Sequence, residues 1–123
     1  MKAKKVTPLF VVDRIEPGLP QWEALGYAVK VRVPEAGLLA FVILESKAGE
    51  LMLQTKKSLA ADMPQVAEKQ PKALLYADVD SITEAKKALP GAEVLIAHRK
   101  TFYGATEAWV ELEGGVVMGL AEH

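Results

Sequence analysis

The chain has 123 residues, 50% of them hydrophobic and 25% charged, with a net charge of −1 and no cysteine. That length suits one domain able to bury a core without staples. The charge balance offers no concentrated Lys and Arg surface for nucleic acid. Without cysteine there are no disulfides, thiolate nucleophiles or Cys-based metal sites. The short basic clusters, such as Lys56-Lys57 and Lys86-Lys87, read as solvated edges. The first apolar run stops at Val12, too short for a secretory signal, and no stretch of about 18 apolar residues suits a membrane span. These features fit a cytoplasmic protein.

In chain order, Val6-Thr7-Pro8-Leu9-Phe10-Val11-Val12 is β-rich and ends at Asp13-Arg14, which predicts a strand. Pro17 and Pro20 suit a first helical turn, so a short helix runs from Leu19 to Leu25 and stops at Gly26. Tyr27 to Val33 alternates, with Val29, Val31 and Val33 on one face and Lys30 and Arg32 on the other, as a half-buried strand does. After the Pro34-Glu35-Ala36-Gly37 turn, Leu38 to Leu44 is apolar throughout and predicts a strand covered on both faces. A further strand, Glu50 to Thr55, follows the Lys47-Ala48-Gly49 turn. Residues 56–71 read as a short helix and a linker.

The pattern then restarts. Leu74 to Val79 is a strand, and Ser81-Ile82-Thr83-Glu84 has the form of a capping box opening a helix to Leu89. Ala92 to Arg99, Thr106 to Leu112 and Val116 to Ala121 are strands, the last two joined at Gly114-Gly115. Val12-Asp13 and Val79-Asp80 stand at matching points, as do Leu25-Gly26 and Leu89-Pro90-Gly91. The chain reads twice, as an internal repeat of βαβββ: module one at 1–55, a linker at 56–71 and module two at 72–123, within one α+β domain.

This order resembles the vicinal oxygen chelate superfamily, which includes glyoxalase, extradiol dioxygenases, fosfomycin-resistance enzymes and bleomycin-binding proteins. The resemblance rests on the repeat, on Val12-Asp13 and Val79-Asp80, on Trp22-Glu23-Ala24-Leu25-Gly26-Tyr27, on Glu50-Leu51-Met52-Leu53 and on Tyr103-Gly104. It implies the glyoxalase/bleomycin-resistance fold, with each sheet curled into a cup, and commonly a homodimer. It also implies four metal-ligand positions, which fall here on Val6, Glu50, Leu74 and Gly119. Only Glu50 is a ligand type, and a divalent ion needs more than one carboxylate from the protein. No metal and no cofactor is therefore expected.

Glu50 shares its strand face with Met52 and Gln54, while Leu51 and Leu53 face the other way. If that face lines the cup, the carboxylate is partly desolvated, its pKa is raised, and it can bind a donor group or act as a base. The bland reading is an exposed Glu after a turn. Tyr76 falls on the Leu74 face, and Phe102, Tyr103 and Trp109 lie on or before a nearby strand. Aromatics in a concave site suit flat or apolar ligands, and equally suit ordinary packing. Trp22 reads as core. His98 reads as surface, and Arg99 and Lys100 as solvated unless an anion sits at the rim. No phosphate loop or nucleophile elbow is present.

Three readings follow. The first is a metal-independent small-molecule binding protein of the bleomycin-resistance type, with an apolar or aromatic ligand lined by Phe10, Glu50, Met52, Gln54, Tyr76, Tyr103 and Trp109. The second is a glyoxalase-like lyase or isomerase with Glu50 as its catalytic base, or a divergent metal enzyme. The third is an interaction module acting through a dimer surface. The first is favoured, with no nucleic acid and no membrane as partner.

Overall fold

The computed structural model describes residues 2–123. Its elements are β1 (Ala3–Val12), a 3-10 turn (Glu16–Gly18), α1 (Leu19–Ala24), β2 (Ala28–Val33), β3 (Phe41–Ser46) and β4 (Gly49–Thr55). There follow α2 (Lys56–Asp62), α3 (Pro64–Ala67), β5 (Ala73–Val79), α4 (Ile82–Lys87), β6 (Glu93–Lys100), β7 (Thr106–Glu111) and β8 (Val117–Glu122). The α+β class and the recurrence of βαβββ are thus as the pattern of apolar runs and turns predicts. By contacts the chain divides into two compact units, Pro8–Ala73 and Leu74–His123, the second together with residues 2–7.

In the Pro8–Ala73 unit the strand order is β2-β3-β4-β1, with β1 and β4 parallel and the other pairs antiparallel. One sheet face packs under α1. Its core is Ile15, Leu39, Val42, Leu44, Leu51 and Leu53, joined by Phe10, Val12, Leu19, Trp22 and Tyr27. Trp22 stacks on Phe10, with ring centroids 6.2 Å apart, and meets Tyr27 edge-on. The aromatic on α1 is therefore half-buried at the edge of this core, against which it packs. In the 56–71 stretch, α2 is capped by Thr55, whose Oγ1 accepts from the Ser58 N–H at 3.1 Å.

In the Leu74–His123 unit the order is β5-β8-β7-β6, with β5 and β8 parallel. Here α4 covers one face, over Ala77, Val79, Ala108, Val110 and Leu120, with its own Ile82 and Ala85 buried. Ser81 caps α4, its Oγ accepting from the Glu84 N–H at 3.2 Å.

Two strands depart from expectation. Between Val29 and Val31 the pairing with β3 slips, so Val29 stands opposite Leu44 while Val31 and Val33 stand opposite Ile43 and Phe41. The bulge turns the strand over, so the three valines do not share one face. As β2 is the outer strand of its unit, all three stay 39–40% exposed rather than half-buried on one face. The strand expected from Leu38 begins at Phe41, and Leu38 is 72% exposed. Only the Val42 and Leu44 side of β3 is buried; Phe41 and Ile43 are half-exposed, so the strand is covered fully on one face alone.

Candidate functional site

A polar cluster lies on the face of the β5-β8-β7-β6 sheet away from α4. Its centre is Glu107 on β7, a carboxylate only 1% exposed. Both of its oxygens are occupied. Oε2 accepts from the Tyr76 hydroxyl at 2.5 Å and the Tyr103 hydroxyl at 2.6 Å. Oε1 accepts from Trp109 Nε1 at 3.0 Å and lies 3.3 Å from Arg99 Nε. A buried charge is tolerated only when paired and hydrogen-bonded, and this one is both. Among the described residues, no buried side-chain nitrogen or oxygen lacks a partner.

Sheet geometry explains the gathering. Glu107 and Trp109 are two apart on β7 and so share a face, and Arg99 on β6 is the register partner of Glu107. Trp109 pairs with Gly119 on β8, and Gly119 pairs with Tyr76 on β5. Gly119 has no side chain, so the indole lies across it, with Tyr76 and Trp109 ring centroids 6.1 Å apart. Tyr103 comes from the turn between β6 and β7. That turn is clamped at its base, where Thr101 and Ala105 exchange bonds of 2.9 Å and 3.0 Å.

The two phenols are held protonated. Burial first, then the bond to Glu107, pushes the Tyr76 hydroxyl far above its ordinary value. The same two causes push Tyr103 up to about 12. Each hydroxyl hydrogen points at the carboxylate, which leaves oxygen lone pairs as the outward-facing groups. Tyr103 is 54% exposed and Tyr76 half-buried, whereas Trp109 is 2% exposed and forms the floor behind them.

The expected site residues fall in the two units. Tyr76, Tyr103 and Trp109 converge on Glu107. Glu50, Met52, Gln54 and Phe10 belong to the Pro8–Ala73 unit. Met52 and Gln54 are both 7% exposed and share a sheet face with Glu50 and with their register partners Leu9 and Val11. Phe10 is not on that face: it pairs with Leu53 and packs against Trp22 under α1, because alternation along β1 turns it away from Leu9 and Val11. Glu50 is not alone among apolar side chains either. The Lys30 ammonium donates to Glu50 at 2.5 Å and lies 3.8 Å from Glu45, the register partner of Glu50. The Glu50 bond, first, and the field of both carboxylates push the Lys30 ammonium above its ordinary 10.5.

Sequence reasoning missed Glu107. A Glu on a strand ordinarily reads as solvated, and the donors that bury this one come from other elements.

An α+β protein of repeated βαβββ units, each with a helix on one sheet face, defines a known class of fold. No family model and no curated protein matches the chain. Solved structures do. A glyoxalase/bleomycin resistance protein/dioxygenase superfamily member from Vibrio splendidus 12B01 aligns with a TM-score of 0.72 at 17% identity, over 97% of this chain and 98% of that one. A hypothetical protein from Bacillus halodurans C-125 gives 0.71 at 18% identity, over 97% and 94%. A Staphylococcus aureus protein gives 0.66 at 16% identity, over 99% and 98%. The chain has the glyoxalase/bleomycin-resistance fold.

The four positions at which the resemblance places metal ligands do not fit a divalent ion. Val6 is 48% exposed and apolar, and Leu74 is buried and apolar. Gly119 has no room for a side chain, since a Cβ there would stand 2.6 Å from the Trp109 ring. Glu50 is engaged by Lys30. Among the described residues, no three His, Cys, Asp or Glu side chains gather as a ligand set. No helix among them is long and apolar enough to cross a membrane.

Proposed function

We propose that this is a small-molecule binding protein of the bleomycin-resistance type, acting without a metal and taking an apolar or aromatic ligand at the Tyr76–Tyr103 edge of the Glu107 cluster. The observation that carries this reading is the polarity of the two hydroxyls. Both donate inward to Glu107 at 2.5 Å and 2.6 Å, so toward a ligand they can only accept. The fitting ligand therefore pairs a flat or apolar body, resting on the Tyr103 ring, with an N–H or O–H donor. Trp109 sits too deep to touch it and serves instead as an optical reporter.

The protein works in the cytoplasm as a homodimer, in two modules at 1–55 and 72–123 joined by 56–71. The Lys30 bond to Glu50 weighs against a lyase or isomerase with Glu50 as base, because the ammonium would first have to leave.

Titration with a panel of aromatic amines and phenols, followed by Trp fluorescence and melting temperature, tests the reading. A saturable response is expected, weakened about tenfold by Tyr103→Phe, which removes an accepting oxygen. A panel without any saturable member, or equal binding by Tyr103→Phe and the native chain, would overturn it.

A further inference from the structure

A concavity lies in the Pro8–Ala73 unit, and none of its lining belongs to the Glu107 cluster. It is an open groove of about 660 Å³ between the β1–α1 turn, the segment before β3 and the first turns of α2. That volume is within the usual range for small-molecule sites, about 300 to 1,000 Å³. Its floor is apolar: Leu38, Leu39, Ala40 and Ala61. Leu38 is left 72% exposed there.

The polar groups around this floor are unevenly satisfied. Each acceptor already has a partner. Asp13 holds the Lys56 ammonium at 3.2 Å, and Glu16 Oε2 accepts from the Leu39 N–H at 2.7 Å. Thr55 Oγ1 accepts from the Ser58 N–H, and Asp62 also has a partner. The donors have none. Ser58 Oγ accepts from Gln54 Nε2 at 3.0 Å, which fixes the oxygen and leaves its own hydrogen without an acceptor among the described residues. Lys57 has no ion pair or hydrogen bond among the described residues. The charge of Arg14 reaches Glu16 and helps hold that carboxyl below its ordinary value, yet no hydrogen bond joins the two. Three unmatched donors, two of them cationic, thus face an apolar floor whose carboxylates are already engaged.

We infer that this groove binds a small amphipathic carboxylate, its acyl or aryl body on Leu38, Leu39 and Ala61 and its carboxylate on Lys57, Arg14 and the Ser58 hydroxyl. A carboxylate supplies the acceptors that the donors lack, and its apolar body covers the exposed leucine. An ammonium of the same length would leave the Lys57, Arg14 and Ser58 donors unmatched and set a like charge beside two cations, so it binds more weakly.

Amide chemical-shift titration with octanoate, and with octylammonium as control, decides the matter. Octanoate is expected to give saturable shifts confined to Leu38, Leu39, Lys57, Ser58 and Ala61, and octylammonium weaker ones. Lys57→Glu should weaken octanoate about tenfold, and Ser58→Ala about threefold. Lys57 is exposed and unpartnered, so its reversal leaves the fold intact, which an unchanged melting temperature verifies. Tyr103→Phe should leave octanoate binding unchanged, which separates this site from the Glu107 cluster. Equal shifts with octylammonium, shifts elsewhere, no saturation, or a Lys57→Glu variant that binds octanoate as the native chain does would each overturn the inference.

Discussion

Trp109 lies directly over Gly119: a Cβ on that glycine would stand 2.6 Å from the indole. The two are register partners on β7 and β8, and the ring occupies the space a side chain at 119 would take. The contact is also what aims Trp109 Nε1 at Glu107. Gly119→Ala is therefore expected to displace the indole and break that bond, at a cost of about 1–3 kcal/mol in urea denaturation. Near-UV circular dichroism should show the loss of Trp109 asymmetry in the same variant. An alanine accepted at no cost would mean the ring is not held there.

Glu107 is the acceptor on which four side chains depend. Glu107→Leu leaves Tyr76, Tyr103, Trp109 and Arg99 without it, and removing one partner of a buried pair costs about 3–5 kcal/mol. Arg99 retains some solvent access, with a side chain 21% exposed, so the lower end of that range is expected. Glu107→Gln keeps one acceptor and should cost roughly 1–2 kcal/mol. Denaturation of both variants checks the order. A leucine tolerated better than the amide would show the cluster to be replaceable by simple packing.

The elements were legible because each carries a local signal. Val12-Asp13 and Gly26 bracket α1, Ser81 and Glu84 mark the cap of α4, and Gly114-Gly115 marks the last hairpin. The β2 face was not legible, because a bulge at Val29 and Val31 reverses the alternation without changing any residue type. The Glu107 cluster was half legible. Tyr76, Tyr103 and Trp109 are aromatics, and aromatics near strands announce themselves. Glu107 does not, since a carboxylate on a strand ordinarily points to water and its burial depends on donors from β5, β6 and the turn between β6 and β7. Phe10 was misplaced by one step of alternation, which puts a side chain on the opposite sheet face.

The alkaline limb of stability should report Tyr103. Its folded value is about 12 against an ordinary 10.0, so the folded state favours the neutral phenol. The unfolded chain releases that proton first, so the stabilisation is complete below pH 10 and is lost as pH rises from 10 through 12. Tyr76 acts in the same direction. Tyr103→Phe should show a shallower fall over that window. Phenolate absorbance of the folded protein should lag that of the denatured chain, and coincident curves would count against the cluster.

Lys30 lies between two carboxylates that stand directly opposite each other, Glu45 and Glu50. Lys30→Met leaves them as like charges across the β3–β4 pair. The Lys30 side chain is 46% exposed, so the cost is expected to be small. It should rise at low ionic strength, where the repulsion is least screened. Thermal melts of the variant across a salt series measure this, and a cost independent of salt would assign it to packing instead.

Glu16 ties the start of the helical turn to the segment before β3. The Leu39 N–H, first, then its own backbone N–H and the charges of Arg14 and Arg32 hold its carboxyl below the ordinary 4.5. A depressed carboxyl stabilises the fold at pH values above 4.5 and gives that up as pH falls through its folded value. Glu16→Gln should therefore lower stability modestly at neutral pH, leave it nearly unchanged below the folded pKa, and so flatten the acid limb. The Leu39 amide, no longer bonded to a charged acceptor at 2.7 Å, should exchange faster with solvent than in the native chain. Hydrogen exchange at Leu39 and denaturation across an acid series measure the two effects separately. Unaltered exchange at Leu39 would show that the loop is held by Leu39 burial alone.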